Sequence, residues 1–109
     1  MLRLVPERTP LTILCLGAHA DDIEIGAGGA LLTLLARYPG SRVRWVVFSA
    51  TRDRAAEAEA SARSFLGGAA EARVDVHDVR DGFFPAAFGP LKETFEALKR
   101  DLQPDLVLT

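Results

Sequence analysis

Hydrophobic and polar positions fall into blocks along this chain, and the period changes from block to block. Thr12 to Gly17 (TILCLG) is a compact apolar run, the pattern of a strand covered on both faces. Gly28 to Arg37 (GGALLTLLAR) is rich in Leu and Ala, stops before Pro39-Gly40, and predicts a helix. Leu31, Leu32, Leu34 and Leu35 spread over much of its circumference, so it is expected to be largely buried. Val43 to Phe48 (VRWVVF) is β-branched and aromatic and predicts a second strand. Asp53 to Leu66 predicts a second helix, stopped by Gly67-Gly68. Val74, Val76 and Val79 mark a third, more polar strand, and a loop with Gly82, Pro85, Gly89 and Pro90 follows. Leu91, Phe95, Leu98 and Leu102 then form one face of a third helix, with Lys92, Glu93, Glu96, Lys99 and Arg100 directed outward. Pro104 ends that helix, and Asp105 to Thr109 (DLVLT) begins a fourth strand.

The order β-α-β-α-β-α-β predicts an α/β fold: a Rossmann-like parallel sheet with helices on both faces. Residues 1–10 precede it as a leader segment. No repeat, low-complexity tract or linker divides the 109 residues, which make one domain at most. The final Leu106, Val107 and Leu108 are strand-like, with no turn or capping helix after them. The chain therefore reads as the N-terminal part of a larger domain whose sheet is incomplete here. The plainer alternative is a small domain whose last strand lies at an edge.

Composition narrows the function classes. Hydrophobic residues make up 49% and charged residues 26%, a globular and not a disordered balance. With 13 basic against 15 acidic residues there is no electrostatic footprint for nucleic acid. One cysteine cannot form an internal disulfide, and Cys15, inside the first strand, is expected to be a small core residue. No apolar run reaches the roughly 18 residues of a membrane span. Met1 to Pro10 lacks the apolar segment and cleavage site of a signal peptide. The expectation is a cytoplasmic protein with neither a nucleic-acid nor a membrane partner.

The sharpest local signal is Ala18-His19-Ala20-Asp21-Asp22, between the first strand and the first helix. Open parallel sheets place ligands outside the carboxyl ends of their strands, so the location suits a site. His19 and Asp22, on one tight loop, have the spacing to hold a single metal ion through nitrogen and oxygen. Asp21, pointing elsewhere, would be free to act as a base on water at that ion. Glu24 adds a third carboxylate close behind. The plain alternative is a solvated acidic loop in which Asp21 or Asp22 caps the helix. Gly26-Ala27-Gly28-Gly29 invites a dinucleotide reading, but the third glycine or alanine of G-x-G-x-x-G/A would fall at Leu31. The acidic loop would also repel a pyrophosphate. These glycines are instead expected to let the first helix approach the loop closely.

His19-Ala20-Asp21-Asp22 followed by Ile23-Glu24-Ile25-Gly26-Ala27-Gly28-Gly29 resembles the signature of the PIG-L/LmbE-like N-deacetylases. That family consists of zinc-dependent hydrolases that remove acetyl groups from N-acetylglucosamine-type sugars and related glycoconjugates. Ala20 stands where the family usually has proline, a change of loop stiffness that removes no ligand. Arg54 and Glu57 are similar to an arginine and glutamate of the family's next helix. Arg80-Asp81-Gly82 is similar to its turn after the third strand. Pro104 to Thr109 (PDLVLT) resembles the strand leading to its second histidine motif. The similarity thus runs in order from about residue 12 to the end. It implies that His19 and Asp22 are zinc ligands, that Asp21 is the general base, and that Arg54 and Asp81 hold sugar hydroxyls. It also implies that the third metal ligand, a histidine, lies beyond Thr109, and a further catalytic histidine later still. The same N/O ligand set accepts other divalent ions besides zinc.

The remaining candidates have plainer roles. His77, beside Asp75 and Asp78, is expected to be solvated or hydrogen-bonded rather than a ligand. Ser49 and Thr51 end the second strand, and Thr51 or Asp53 is a helix cap. Phe83, Phe84 and Phe88 either pack their loop onto the body or form an apolar wall beside a sugar. Trp45 is expected in the core. Two other functions stay open at this point: a non-enzymatic Rossmann-like domain binding a sugar or nucleotide, and an inactive truncated subunit of an assembly, a homo-oligomer included, joined through the open edge at Leu106 to Leu108.

Overall fold

The computed structural model describes residues 3–109, so Met1 and Leu2 of the expected leader lie outside the described residues. Four strands form one sheet: β1 (Thr12–His19), β2 (Arg42–Ser49), β3 (Glu71–Val76) and β4 (Leu106–Leu108). They alternate with α1 (Asp22–Arg37), α2 (Arg52–Phe65) and α3 (Phe88–Leu102). The sheet order is β3-β2-β1-β4 and every pairing between these strands is parallel. This is the Rossmann-like arrangement expected from the alternating pattern. The chain moves outward from β1 through β2 to β3, then returns to place β4 on the other side of β1. In open α/β sheets such a reversal opens a crevice at the carboxyl ends of the strands.

Each central strand buries both faces, because successive side chains point to opposite sides. Ile13 and Cys15 of β1 join Val43, Trp45 and Val47 of β2 under Ile23, Leu31 and Leu35 of α1 and Ala62 of α2. Leu14, Val46 and Phe48 face the other way, where Leu98 of α3 covers them. Phe95 of α3 is 42% exposed, yet its ring tilts against Phe48 at 5.1 Å between centroids. Arg8 pairs with Asp105, whose Oδ2 accepts the Thr12 backbone N–H at 2.8 Å. That carboxylate links the segment before β1, the start of β1 and the entry to β4.

Several expected boundaries shift. α1 begins at Asp22, six positions before Gly28, and runs through all the glycines. Packing overrides the low helix propensity of glycine here: Ile23, Leu31 and Leu35 keep one face buried, and Ala27 packs beside them. Gly17 lets that first turn settle on β1, since a Cβ there would lie 3.0 Å from Ile23 Cγ1. Gly28 faces α2 and not the acidic loop; a Cβ would stand 2.5 Å from the Phe65 ring. α1 is also less buried than its leucines suggest, for Ile25 is 82% exposed and Leu32 is half exposed. β1 extends two residues past Gly17, through His19. β3 ends at Val76 and leaves Val79 outside it. Gly89 and Pro90, expected in a loop, lie in the first turn of α3, where proline's missing N–H costs nothing. β4 is an edge strand of only three residues.

Candidate functional site

The carboxyl ends of β1, β2 and β3 converge on the loop that carries His19. β1 and β2 run in register until His19 lies opposite Ser49. Beyond β3 the chain stays tied to β2: His77 N–H donates to Val47 O at 2.7 Å, and Val79 N–H donates to Phe48 O at 3.0 Å. A bridge between Ser49 and Asp78 continues the contact. These backbone bonds carry the turn at Arg80-Asp81-Gly82 to the end of β1. His19 and Asp81, 62 positions apart in the chain, thereby meet.

The His19 loop is shaped by its own carboxylates. Asp22 Oδ2 accepts the His19 backbone N–H at 2.8 Å and closes the turn. Asp21 sits at the N-cap of α1 with φ 77°, a left-handed conformation that aspartate tolerates better than most residues. Its backbone carbonyl accepts the Ile25 N–H at 3.0 Å, while its side chain makes no cap bond. The side chain of Asp22 is thus the one committed to the loop, and that of Asp21 is spared. Asp21 at the N-cap and Asp22 in the first turn both stand at the positive end of the α1 dipole.

His19 is held from two sides. Its Nε2 lies 2.7 Å from Asp81 Oδ1, and its Nδ1 lies 3.6 Å from Asp22 Oδ2. The first is a hydrogen bond; the second is too long for one. The Phe84 ring stacks on the imidazole with centroids 6.0 Å apart. The hydrogen bond to Asp81 is the main cause that raises the His19 pKa above that of an ordinary imidazole, and the negative charges of Asp81 and Asp22 add to it. The same bond holds the Asp81 carboxyl below the usual carboxylate range. A field that favours a proton on this ring also favours a metal cation beside it.

A recess of about 260 Å³ is lined by His19, Ala20, Asp21, Ser49, Ala50, Thr51, Arg54 and Asp81. Four of the five residues singled out from the sequence therefore border one space. The fifth, Asp22, borders a neighbouring crevice of about 390 Å³ between α1 and the ends of β1 and β4, with Gly17, Gly26 and Leu108. Arg54 projects from the first turn of α2, largely exposed, and approaches Glu57 at 4.0 Å. Glu24 turns away from His19, and its Oε1 accepts the Ser61 hydroxyl at 2.9 Å, tying α1 to α2.

A metal ion fits the pair His19 and Asp22. At the usual zinc bond lengths of about 2.0–2.2 Å, an N and an O ligand on a tetrahedral ion stand about 3.4 Å apart. The observed 3.6 Å between Nδ1 and Oδ2 is close to that separation. Among the described residues no group of three His, Cys, Asp or Glu side chains is arranged to hold a metal ion, so His19 and Asp22 would be two ligands of a larger set. His77 is engaged elsewhere, stacked on Phe48 with ring centroids 5.7 Å apart. Cys15 is enclosed in the core, and burial pushes its thiol up to about 12. Thr51 is the N-cap of α2, without a side-chain cap bond.

Two features of the site escape sequence reasoning. Nothing in the spacing joins His19 to Asp81; only the sheet order does. Phe84 was distinguishable from Phe83 and Phe88 only by its place in the short 3-10 turn Phe84–Ala87, which lays its ring against both the α3-side core and His19. Phe88 is exposed, and Phe83 lies under the Arg80 guanidinium at 3.9 Å. No helix among the described residues is long and apolar enough to cross a membrane. Comparisons with models of protein families, with curated proteins and with solved structures find no match.

Proposed function

We propose that this chain carries part of the active site of a metal-dependent N-deacetylase acting on an N-acetylated amino sugar or glycoconjugate. The observation that carries this reading is the placement of His19 Nδ1 3.6 Å from Asp22 Oδ2 at the carboxyl end of β1, with Asp21 beside them bordering an open recess. The resemblance of the His19-to-Gly29 segment to the PIG-L/LmbE-like signature supports it.

His19 and Asp22 would hold the metal, zinc or another divalent ion that accepts nitrogen and oxygen. When bound, such an ion polarises the acetyl carbonyl and lowers the pKa of water to about 7. Asp21 takes a proton from the attacking water and returns it to the nitrogen as the amide C–N bond breaks, leaving acetate and a free amine. Its side chain is available for this because the loop is closed by Asp22. Arg54 and Asp81, which border the same recess, offer a guanidinium and a carboxylate to the sugar hydroxyls. Phe84 backs the His19 imidazole with an apolar ring. By the same resemblance, a histidine would complete the ligand set.

The alternative of a nucleotide-binding domain draws no support from the glycines, since Gly28 serves the approach of α1 to Phe65. The test is acetate release from N-acetylglucosamine-type substrates by the protein and its Asp21→Asn variant. Asparagine tolerates the left-handed backbone at this position. Activity is expected to fall at least about 100-fold while zinc stays bound. Activity retained by Asp21→Asn would overturn the role given to Asp21.

A further inference from the structure

We propose that Asp81 is a positioning residue for His19: it holds the proton on Nε2 and so presents Nδ1 as the metal-facing lone pair. This rests on the reading of His19 as a metal ligand and gives Asp81 a task beyond the contact with sugar hydroxyls.

An ionised carboxylate only accepts hydrogen bonds. The 2.7 Å contact between Asp81 Oδ1 and His19 Nε2 therefore requires the ring proton on Nε2. In the neutral ring, Nδ1 then carries the lone pair, 3.6 Å from Asp22 Oδ2. A metal-ligating histidine that donates its other ring N–H to a carboxylate is held in orientation and made more basic by it. Phe84 limits the imidazole from a third direction by stacking on it. The His19 side chain is 47% exposed. Burial alone does not lock the ring, so the hydrogen bond is what sets its angle. Asp81 reaches it because the backbone bonds beyond β3 fix its turn to the end of β2.

The test has two arms on the purified chain. In the first, nitrogen-15 NMR of the metal-free protein reads which His19 nitrogen carries the proton above the ring's pKa. The expected result is Nε2–H in the wild type and a mixture of tautomers in Asp81→Ala. A wild-type ring protonated at Nδ1 overturns the proposal. In the second, zinc affinity is measured by competition with a chromophoric chelator for wild type, Asp81→Ala and Asp81→Asn. Asp81→Ala is expected to bind zinc about 10–100-fold more weakly. Asp81→Asn, whose carboxamide oxygen can still accept from Nε2–H, is expected to recover part of that loss. Unchanged affinity in Asp81→Ala overturns the proposal. A wild-type chain that binds no zinc defeats the reading of His19 as a ligand, and the NMR arm still decides whether Asp81 sets the tautomer.

Discussion

Cys15 and His19 lie four residues apart on the same strand, and their surroundings are opposite. Cys15 is fully enclosed between α1 and the sheet, and its thiol is pushed up to about 12 by burial alone. His19 is half exposed, touched by two carboxylates and a phenyl ring, and its pKa is raised by hydrogen bonding and charge. The inner half of β1 is an apolar strand paired on both edges, with β2 and β4. Its last residues leave the shelter of the helices at the point where α1 begins. The strand thus supplies a rigid base, and the chemistry sits at its rim. A nucleophile-capable sulfur in the inner half of β1 is shut in the core, while an ordinary imidazole at its end gains two charged partners.

The sharpest way to break this contrast is to exchange stability for chemistry. Trp45→Ala, in the inner half of the sheet, is expected to cost about 3–5 kcal/mol of stability, because the indole is wholly enclosed. His19→Ala is expected to cost less than about 1 kcal/mol, as a partly exposed group does, and to remove metal binding. Urea unfolding of both variants compares them. A loss for His19→Ala as large as that for Trp45→Ala would place the rim inside the core.

The glycines of α1 give a smaller effect of the same kind. Gly28→Ala forces a Cβ to within 2.5 Å of the Phe65 ring and is expected to destabilise by about 1–3 kcal/mol. Gly29→Ala meets nothing within 4 Å and is expected to stabilise the helix by about 0.5–1 kcal/mol. Equal effects in denaturant melts would mean that the approach of α1 to α2 does not depend on Gly28.

The pH dependence is smaller still. His19 has a folded pKa above its unfolded value, chiefly through the Asp81 hydrogen bond. Its stabilising contribution is therefore fully present below the unfolded value of about 6.5 and is lost as pH rises through the folded value. In proton NMR the His19 titration midpoint is expected above that of an ordinary imidazole, and to fall in Asp81→Ala. A midpoint that does not respond to Asp81→Ala would mean that the contact is absent in solution. Cys15 marks the low end of the scale. Its thiol is expected to stay unreactive toward a thiol reagent at pH 8 until the chain is unfolded, and prompt reaction would show that the inner half of β1 opens readily.

Much of this architecture is legible in the chain, for physical reasons that differ by element. β1 and β2 are readable because strands buried on both faces leave continuous apolar runs. α3 is readable because Leu91, Leu98 and Leu102 hold a helical period over one face. The start of α1 is hidden by its glycines, whose weak propensity masks a helix held by Ile23 and Leu31. β3 is blurred because its ladder continues as scattered bonds at His77 and Val79 after the strand has ended. The loop His19-Ala20-Asp21-Asp22 is visible as a cluster of ligand types on a strand end. The division of labour within it is partly visible, since the spacing pairs His19 with Asp22. The hydrogen bond from His19 to Asp81 is not visible, because it depends on how three parallel strands align.

The proposed site, one divalent metal held by His19 and Asp22 at the end of β1, is tested most directly by titrating zinc into the purified wild-type chain, His19→Ala and Asp22→Ala, with bound metal measured at each step. One zinc per chain in the wild type, lost in both variants, is the predicted result. Zinc that binds equally well to all three proteins, or to none of them, would contradict it.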